Sequence, residues 1–387
     1  MNKVLIASYR RTPFVKFGGV FQNLSAVELG SIAAKAAISD AGIAAQDIDY
    51  VIAGQVLQGL AGQNPARQTA IAAGVPWSVP STTINAVCLS GTEAISQAAR
   101  LISSGEHEVV LVVGQESMSQ APHAARLRAG ARYGAMELLD TVEADGLRDA
   151  FQKTSMGSLT ETENQRLGLT REEQDRWAAR SHQRAVSSAD FLSQEIVAVD
   201  AGKRGQITAD DGVRPETTVE SLAGLKPAFS SDGTITAGNA SQITDGAASL
   251  VVLSEAAAAR LGVRPIAELL AFAQVAGPDA TLQAQPANAI AAALKKIDLK
   301  PADLASVEIN EAFAAVVAKS VTQLGIDPDI VNPHSGAIAL GHPIGASGAR
   351  IVGHLARTLG TLGVGSIGAA GICGGGGQGS AIVLKAL

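Results

Sequence analysis

Cysteine is nearly absent from this chain, with two in 387 residues, which excludes a disulfide framework and fits a reducing compartment. Aromatic residues make up only 3% against 41 glycines. A core of small side chains follows, with backbones lying close together. There is no excess of basic charge: Lys and Arg number 30, Asp and Glu 36, and the net charge is −6. No global basic field exists to attract nucleic acid or an anionic membrane. No apolar stretch approaches 18 residues without polar breaks, so no membrane span is expected. The opening "MNKVLIASYRRTPF" has too short an apolar run for a signal peptide and begins as a strand, and the closing "LKAL" matches no peroxisomal address. The expectation is a soluble, cytoplasmic protein.

What the chain does hold is apolar material, at 47% of residues, and enough length for two or three domains. It also holds a duplication. Residues 33–55 match 289–311 at an offset of 256 positions, with Ala33, Ala36, Ala37, Ile38, Asp47 and Val51 meeting Ala289, Ala292, Ala293, Leu294, Asp303 and Val307. At an offset of 257, Ser90-Gly91 meets Ser347-Gly348, Ala99-Arg100 meets Ala356-Arg357, and Gly114 meets Gly371. Each half reads as helix, turn, strand, then a glycine-led helix and a buried strand. "SAVE" at 25–28 has capping-box spacing and opens a helix that stops near Gly42. "EVVLVVG" (108–114) and "SLVVLS" (249–254) read as fully buried strands. A charged segment of about 116–245 lacks the repeat and reads as an insertion. Alternating helices and buried strands predict an α/β layered architecture.

Cys88, in "TINAVCLSGTEAISQAARLI", stands where an extended run turns into a helix. The free N–H groups and positive dipole end there favour thiolate over the free value of ~8.5. A nucleophilic thiol needs a base. Among six histidines, His107, His123 and His182 read as surface residues, and His354 sits inside a helical run. His334 and His342 frame "HSGAIALGHPIGASG", and His342, fixed between Gly341 and Pro343, is the best candidate base. No carboxylate or cysteine cluster at ligand spacing accompanies these histidines, which argues against a metal site. "GVGSIG" (363–368) matches a dinucleotide fingerprint in letters only, because it follows a helix and leads into a strand.

With "NAVCLSG" at Cys88, "NEAFA" at 310–314, "GHPIGASGAR" at 341–350 and "CGGGGQG" at 373–379, the chain resembles the thiolases along its whole length. The resemblance implies two βαβαβαββ halves in a five-layered αβαβα core with an inserted loop domain. The N-terminal half is then 1–115 plus 246–264, the CoA-binding loop domain 116–245, and the C-terminal half 265–387. It implies that Cys88 accepts the acyl group, His342 activates it, and Cys373 exchanges the α-proton of the second thioester. One oxyanion hole is implied from the N–H groups of Cys88 and Gly375, and another from His342 with a water on Asn310. Arg214 and Ser241 fall where the family contacts CoA, while Met156 and Phe313 fall at the acyl group. No cofactor is implied, CoA thioesters being substrates. The implied assembly is a homotetramer, a dimer of dimers, without nucleic-acid or membrane partners.

Some positions depart from the family pattern. "MGSLTETEN" keeps Met156, Gly157 and Glu161 but not the expected Asn, and Ser155 replaces a common His. "AGPDATLQAQPANA" (276–289) lacks the Met that many short-chain members place against the acyl group. Rival readings are a ketoacyl-synthase-like condensing enzyme, a dithiol redox protein and a non-catalytic lipid-binding relative. Cys373 argues against the first, the lack of a Cys-x-x-Cys against the second, and the intact "NEAFA" against the third.

Overall fold

A computed structural model describes residues 2–128, 130 and 133–387. Ten strands form its principal sheet: β1 (Val4–Arg11), β2 (Val15–Lys16), β3 (Tyr50–Gly54), β4 (Ser81–Ile84), β5 (Val109–Glu116), β6 (Thr244–Ser254), β7 (Ala267–Ala276), β8 (Ser306–Ile309), β9 (Ile367–Gly374) and β10 (Gln378–Ala386). The helices that matter below are α1 (Ala26–Asp40), α2 (Pro65–Ala72), α3 (Ser90–Ser104), α4 (Met156–Leu167), α5 (Arg171–Ser187), α6 (Gln285–Lys295), α7 (Ala314–Leu324) and α8 (Ile344–Leu362).

The strand order is β8-β9-β10-β7-β1-β6-β5-β3-β4, with β2 alongside β6. Reading outward from the β7–β1 seam, the two directions repeat the same connectivity. β6, β5 and β3 lie on one side, and β10, β9 and β8 take the same places on the other. Only Leu5–Glu268 and Ile6–Ala267 pair across the seam.

The alternation of side chains along each strand assigns the layers. Val110, Val112, Leu250 and Val252 turn toward α3 and α8, and so do Ile372, Ile382 and Leu384 from the other half. Val109, Leu111 and Val113 turn the other way, onto α1 and α2. Ala369, Ala381 and Val383 likewise face α6 and α7. Helices therefore cover both sheet faces in both halves, with α3 and α8 buried in the middle, giving the five-layered α/β fold the resemblance implies. Strands covered on both faces are why their sequences read as unbroken apolar runs.

The repeated Ser-Gly pairs sit where α3 crosses α8. A Cβ on Gly91 would lie 2.4 Å from the backbone nitrogen of Ala349, and one on Gly348 would lie 2.5 Å from that of Thr92. Neither helix can carry a larger residue at the crossing, so the duplication kept glycine in both copies. The capping box is present as well: the Ser25 hydroxyl accepts from Glu28 N–H at 3.2 Å, and Glu28 accepts from Ser25 N–H at 2.8 Å. "GVGSIG" joins the end of α8 to β9, which is the wrong context for a phosphate loop.

The segment between β5 and β6 adds α4, α5 and two short ribbons, and it is anchored by a buried cation. The Arg11 guanidinium reaches Glu195 at 2.6 Å and Asp210 at 2.6 and 2.8 Å, with no exposure of its own. Among the described residues no helix is long and apolar enough to cross a membrane.

Candidate active site

Cys88 lies on a sharp elbow between β4 and α3. Val87 holds a left-handed conformation, φ +52°, which costs a β-branched residue of order 1–3 kcal/mol unless its surroundings enforce it. They do. Asn85 Oδ1 accepts from Val87 N–H at 3.0 Å, and the Ser90 hydroxyl donates to the Val87 carbonyl at 2.6 Å while accepting from Ala86 N–H at 2.9 Å. The strain is local to the residue before Cys88, and Cys88 lines a cavity.

Cys373 reaches the same cavity from the far half. It sits near the end of β9, which pairs with β10 through Cys373–Gly379, and the hairpin turns at Gly376 and Gly377, both at positive φ. A Cβ on Gly377 would fall 1.7 Å from the Asp279 carbonyl, so the glycine run is needed to close the turn beneath residues 279–280. Cys373 is 1% exposed.

His342 precedes α8, its backbone N–H donating to the Gln242 carbonyl at 3.0 Å. Its Nδ1 lies 2.6 Å from the Ser347 hydroxyl, which itself donates to the Pro343 carbonyl at 3.1 Å. The hydroxyl's proton being used there, Nδ1 carries the imidazole proton and Nε2 keeps its lone pair, buried and without a protein partner. Asn310 follows β8, and neither atom of its buried side-chain amide has a protein partner. Two unfilled amide positions beside the cavity residues Ala312 and Phe313 suit a bound water. The neighbouring Glu311 fastens the loop: it accepts from Ser181 Oγ on α5 at 2.6 Å, from Asn332 Nδ2 at 2.8 Å and from Ile338 N–H at 3.0 Å.

The cavity measures about 330 Å³. Of the residues singled out in the sequence, Cys88, His342, Cys373, Gly375, Ser241, Met156 and Phe313 line it. Asn310 is buried beyond the lining, and Arg214 stands outside on exposed chain, its N–H donating to His182 Nδ1 at 3.1 Å. Sequence reasoning missed Phe229, Leu282, Ile344 and Leu147, which are also in the wall. Leu282 comes from the stretch noted for its missing Met. Phe229 meets Phe313 edge-on, with centroids 6.3 Å apart. His182 is a correction: expected on the surface, it is buried, because α5 turns that face inward. His354, inside α8, is wholly buried with Nδ1 2.8 Å from Glu195.

The electrostatics of the two thiols also depart from the sequence expectation. Burial pushes the Cys88 thiol up to about 12, even though the N–H groups of Cys88 and Gly375 point at its sulfur and pull the other way. The helix end does not generate a resting thiolate, because the desolvated pocket outweighs it. Burial also pushes Cys373 up, and the nearby Cys88 sulfur adds to this. His342 is pushed down to about 4, first by burial and then by the buried Arg350 cation. The resting pair is therefore a neutral thiol and a neutral imidazole, whose free Nε2 is a base ready for use. If Cys88 and His342 carry turnover, loss of the imidazole base is expected only as pH falls through about 4. Complete loss of activity between pH 7 and 6 in a pH–rate series would contradict this assignment.

Comparison with known proteins agrees with this fold and cavity. Residues 4–256 match the thiolase N-terminal domain and residues 263–386 the thiolase C-terminal domain. A "probable acetyl-CoA acetyltransferase" of Mycobacterium tuberculosis is 49% identical over 393 residues, covering 100% of both chains. Two solved structures share the fold: the Acat5 thiolase of Ascaris suum in complex with coenzyme A and human mitochondrial 3-ketoacyl-CoA thiolase in complex with CoA. The first has a TM-score of 0.92 at 37% identity, covering 100% of both chains. The second has a TM-score of 0.94 at 35% identity, covering 100% of this chain and 98% of the other. The chain is an acyltransferase. It belongs to the thiolase family.

Proposed function

We propose that the cavity binds CoA thioesters as substrates and that Cys88, His342 and Cys373 divide the thiolase reaction among them. The observation that carries this reading is the convergence of two thiols and one neutral imidazole on a single apolar cavity. In the synthetic direction the Cys88 sulfur attacks the thioester carbonyl while His342 Nε2 takes the thiol proton and returns it to the departing CoA. The N–H groups of Cys88 and Gly375, already aimed at the Cys88 sulfur, suit the oxygen of the tetrahedral intermediate. Cys373 passes its own proton to the freed His342 Nε2 and, as a thiolate, removes the α-proton of a second thioester. The enolate, its oxygen facing protonated His342 and a water on Asn310, attacks the acyl carbon, and Cys88 leaves and takes the proton held by His342. Thiolytic cleavage runs the same steps backwards.

The same reading places Ser241 against the pantetheine arm, Met156 and Phe313 against the acyl group, and Arg214 at the adenine end. In it residues 1–115 with 246–264 supply the nucleophile, 116–245 the CoA contacts, and 265–387 His342 and Cys373. It includes a homotetramer working in the cytoplasm, for which two unpaired cysteines are suited. We assign a short acyl chain. Leu147, Leu282, Ile344 and Phe229 add apolar bulk to the wall, and the Mycobacterium tuberculosis relative carries acetyl-CoA in its name.

The test is CoA-dependent loss of acetoacetyl-CoA, followed by absorbance beside a longer straight-chain 3-ketoacyl-CoA. We expect kcat/KM for the short substrate to exceed that for the longer by about tenfold or more, the scale of methylene discrimination in an apolar pocket. Preference for the longer chain would overturn the short-chain assignment. Turnover of neither would overturn the CoA thioester reading.

A further inference from the structure

The duplication has a second use. At the offset of 257 that aligns the two Ser-Gly pairs, Cys373 corresponds to Glu116, Cys88 to Gly345 and His342 to Asn85. The elements follow the same register, β5 with β9 and α3 with α8. The half that supplies Cys373 to the cavity therefore has a counterpart that places a carboxylate at the symmetry-related spot.

That carboxylate is fully buried and has no cationic partner among its hydrogen bonds. It accepts three backbone N–H groups instead: Val56 at 3.0 Å, Leu57 at 3.1 Å and Gly345 at 2.9 Å. A buried carboxylate without a countercharge is costly, and burial raises this one to about 7 against those donors. Three buried backbone donors need an acceptor here, which an apolar side chain would not supply and an amide would supply on one oxygen only. The position of the three donors suggests what the carboxylate does.

Val56 and Leu57 follow β3. The Val56 carbonyl accepts from Asn85 Nδ2 at 3.2 Å, and Asn85 Oδ1 in turn accepts from Val87 N–H, the strained residue beside Cys88. Gly345 lies in the first turn of α8, three residues past His342 and two before Ser347, which orients the imidazole. It approaches so closely that a Cβ there would sit 2.7 Å from Glu116 Oε2. One branch thus runs from Glu116 through Val56 and Asn85 to the Cys88 elbow, and the other runs through Gly345 to the His342 loop. The two groups that must exchange a proton come from opposite halves of the molecule, and this side chain bonds to the supports of both.

We propose that Glu116 is a positioning residue for the reaction, joining the Cys88 elbow to the His342 loop so that thiol and imidazole keep one working geometry. The proposal rests on the Cys88–His342 reading above. It predicts a loss in the chemical step with little change in substrate binding, because the cavity wall that meets the thioester does not include Glu116. Misplacing reacting groups by about 1 Å can cost about a hundredfold in rate.

The experiment measures kcat and KM for acetoacetyl-CoA thiolysis by the full-length native protein, Glu116→Gln, Asn85→Ser and Cys88→Ala, each checked for folding by circular dichroism. Glu116→Gln keeps the shape but replaces one acceptor oxygen by a donor. We expect its kcat to fall about tenfold or more with KM held within about twofold, and Asn85→Ser, which cuts the other branch, to show the same split. A folded Glu116→Gln protein with kcat within about twofold of native, or with KM rising in proportion, overturns the proposal. If Glu116→Gln does not fold, Asn85→Ser decides alone: native kcat overturns the proposal, and a kcat loss at constant KM upholds it. Failure of the underlying reading looks different, since native protein and Cys88→Ala would then turn over equally or not at all.

Discussion

Cys88→Ala is expected to lower kcat for acetoacetyl-CoA thiolysis by at least about 10⁴-fold, the scale on which loss of a covalent nucleophile acts. The route needs a sulfur to carry the acyl group between two CoA molecules, and no other group in the cavity can take its place. Cys373 is the only other thiol, and in the proposed route its sulfur handles the proton. Folding should survive the change. The elbow is held by Asn85 and Ser90 through backbone atoms of Ala86 and Val87, none of which the substitution removes. Binding of CoA, measured by calorimetry on the variant, should stay within a few-fold of native. Thiolysis by Cys88→Ala within tenfold of native would remove the acyl-enzyme from the account.

Cys373→Ala should produce a different loss, confined to one half of the reaction. In the proposed route, acyl transfer from acetyl-CoA to Cys88 uses His342 and the N–H groups of Cys88 and Gly375, none of which the substitution removes. Its single-turnover rate should therefore remain within about tenfold of native. Condensation, and exchange of the α-hydrogens of acetyl-CoA with deuterated solvent, should fall by about 10²- to 10⁴-fold, the usual contribution of a positioned proton-transfer group. Rapid-quench acylation and exchange monitored by NMR separate the two. Equal loss in both would mean that Cys373 supports the site as a packed residue, which its place in the apolar cluster of the C-terminal half would allow without any chemistry.

Much of the fold was legible because it is written twice. Small residues at one offset marked α3 and α8, and the steric reason is the crossing at Gly91 and Gly348, where no Cβ fits. The buried strands were legible for an equally direct reason, since a sheet covered on both faces leaves no polar alternation to confuse the pattern. The site was legible in part. Cys88 could be located from its strand-to-helix context, and His342 from its fixed backbone. A role for Cys373 came only with the family resemblance, because a thiol beside glycines has no local signature.

The rest depends on contacts that sequence spacing does not encode. The left-handed turn at Val87 is unexpected for a β-branched residue and exists because Asn85 and Ser90 hold it. The thiolate expected at the start of α3 is not found, since burial of Cys88 outweighs two inward-pointing N–H groups, and burial is a property of the assembled halves. Phe229 and Leu282 reach the cavity from segments more than 50 residues apart. His182 was expected in solvent because its neighbours are charged, yet it faces the core and accepts the Arg214 N–H.

If one sulfur carries the acyl group while another handles the proton, the acyl-enzyme can be trapped by removing the second. Cys373→Ala protein would be incubated with acetyl-CoA, quenched in acid, digested and mapped by peptide mass spectrometry. The expected product is stoichiometric acetylation of Cys88 as a thioester that hydroxylamine releases and free CoA reverses. No acetyl group on Cys88, or one bound elsewhere on the chain that CoA removes, would contradict it.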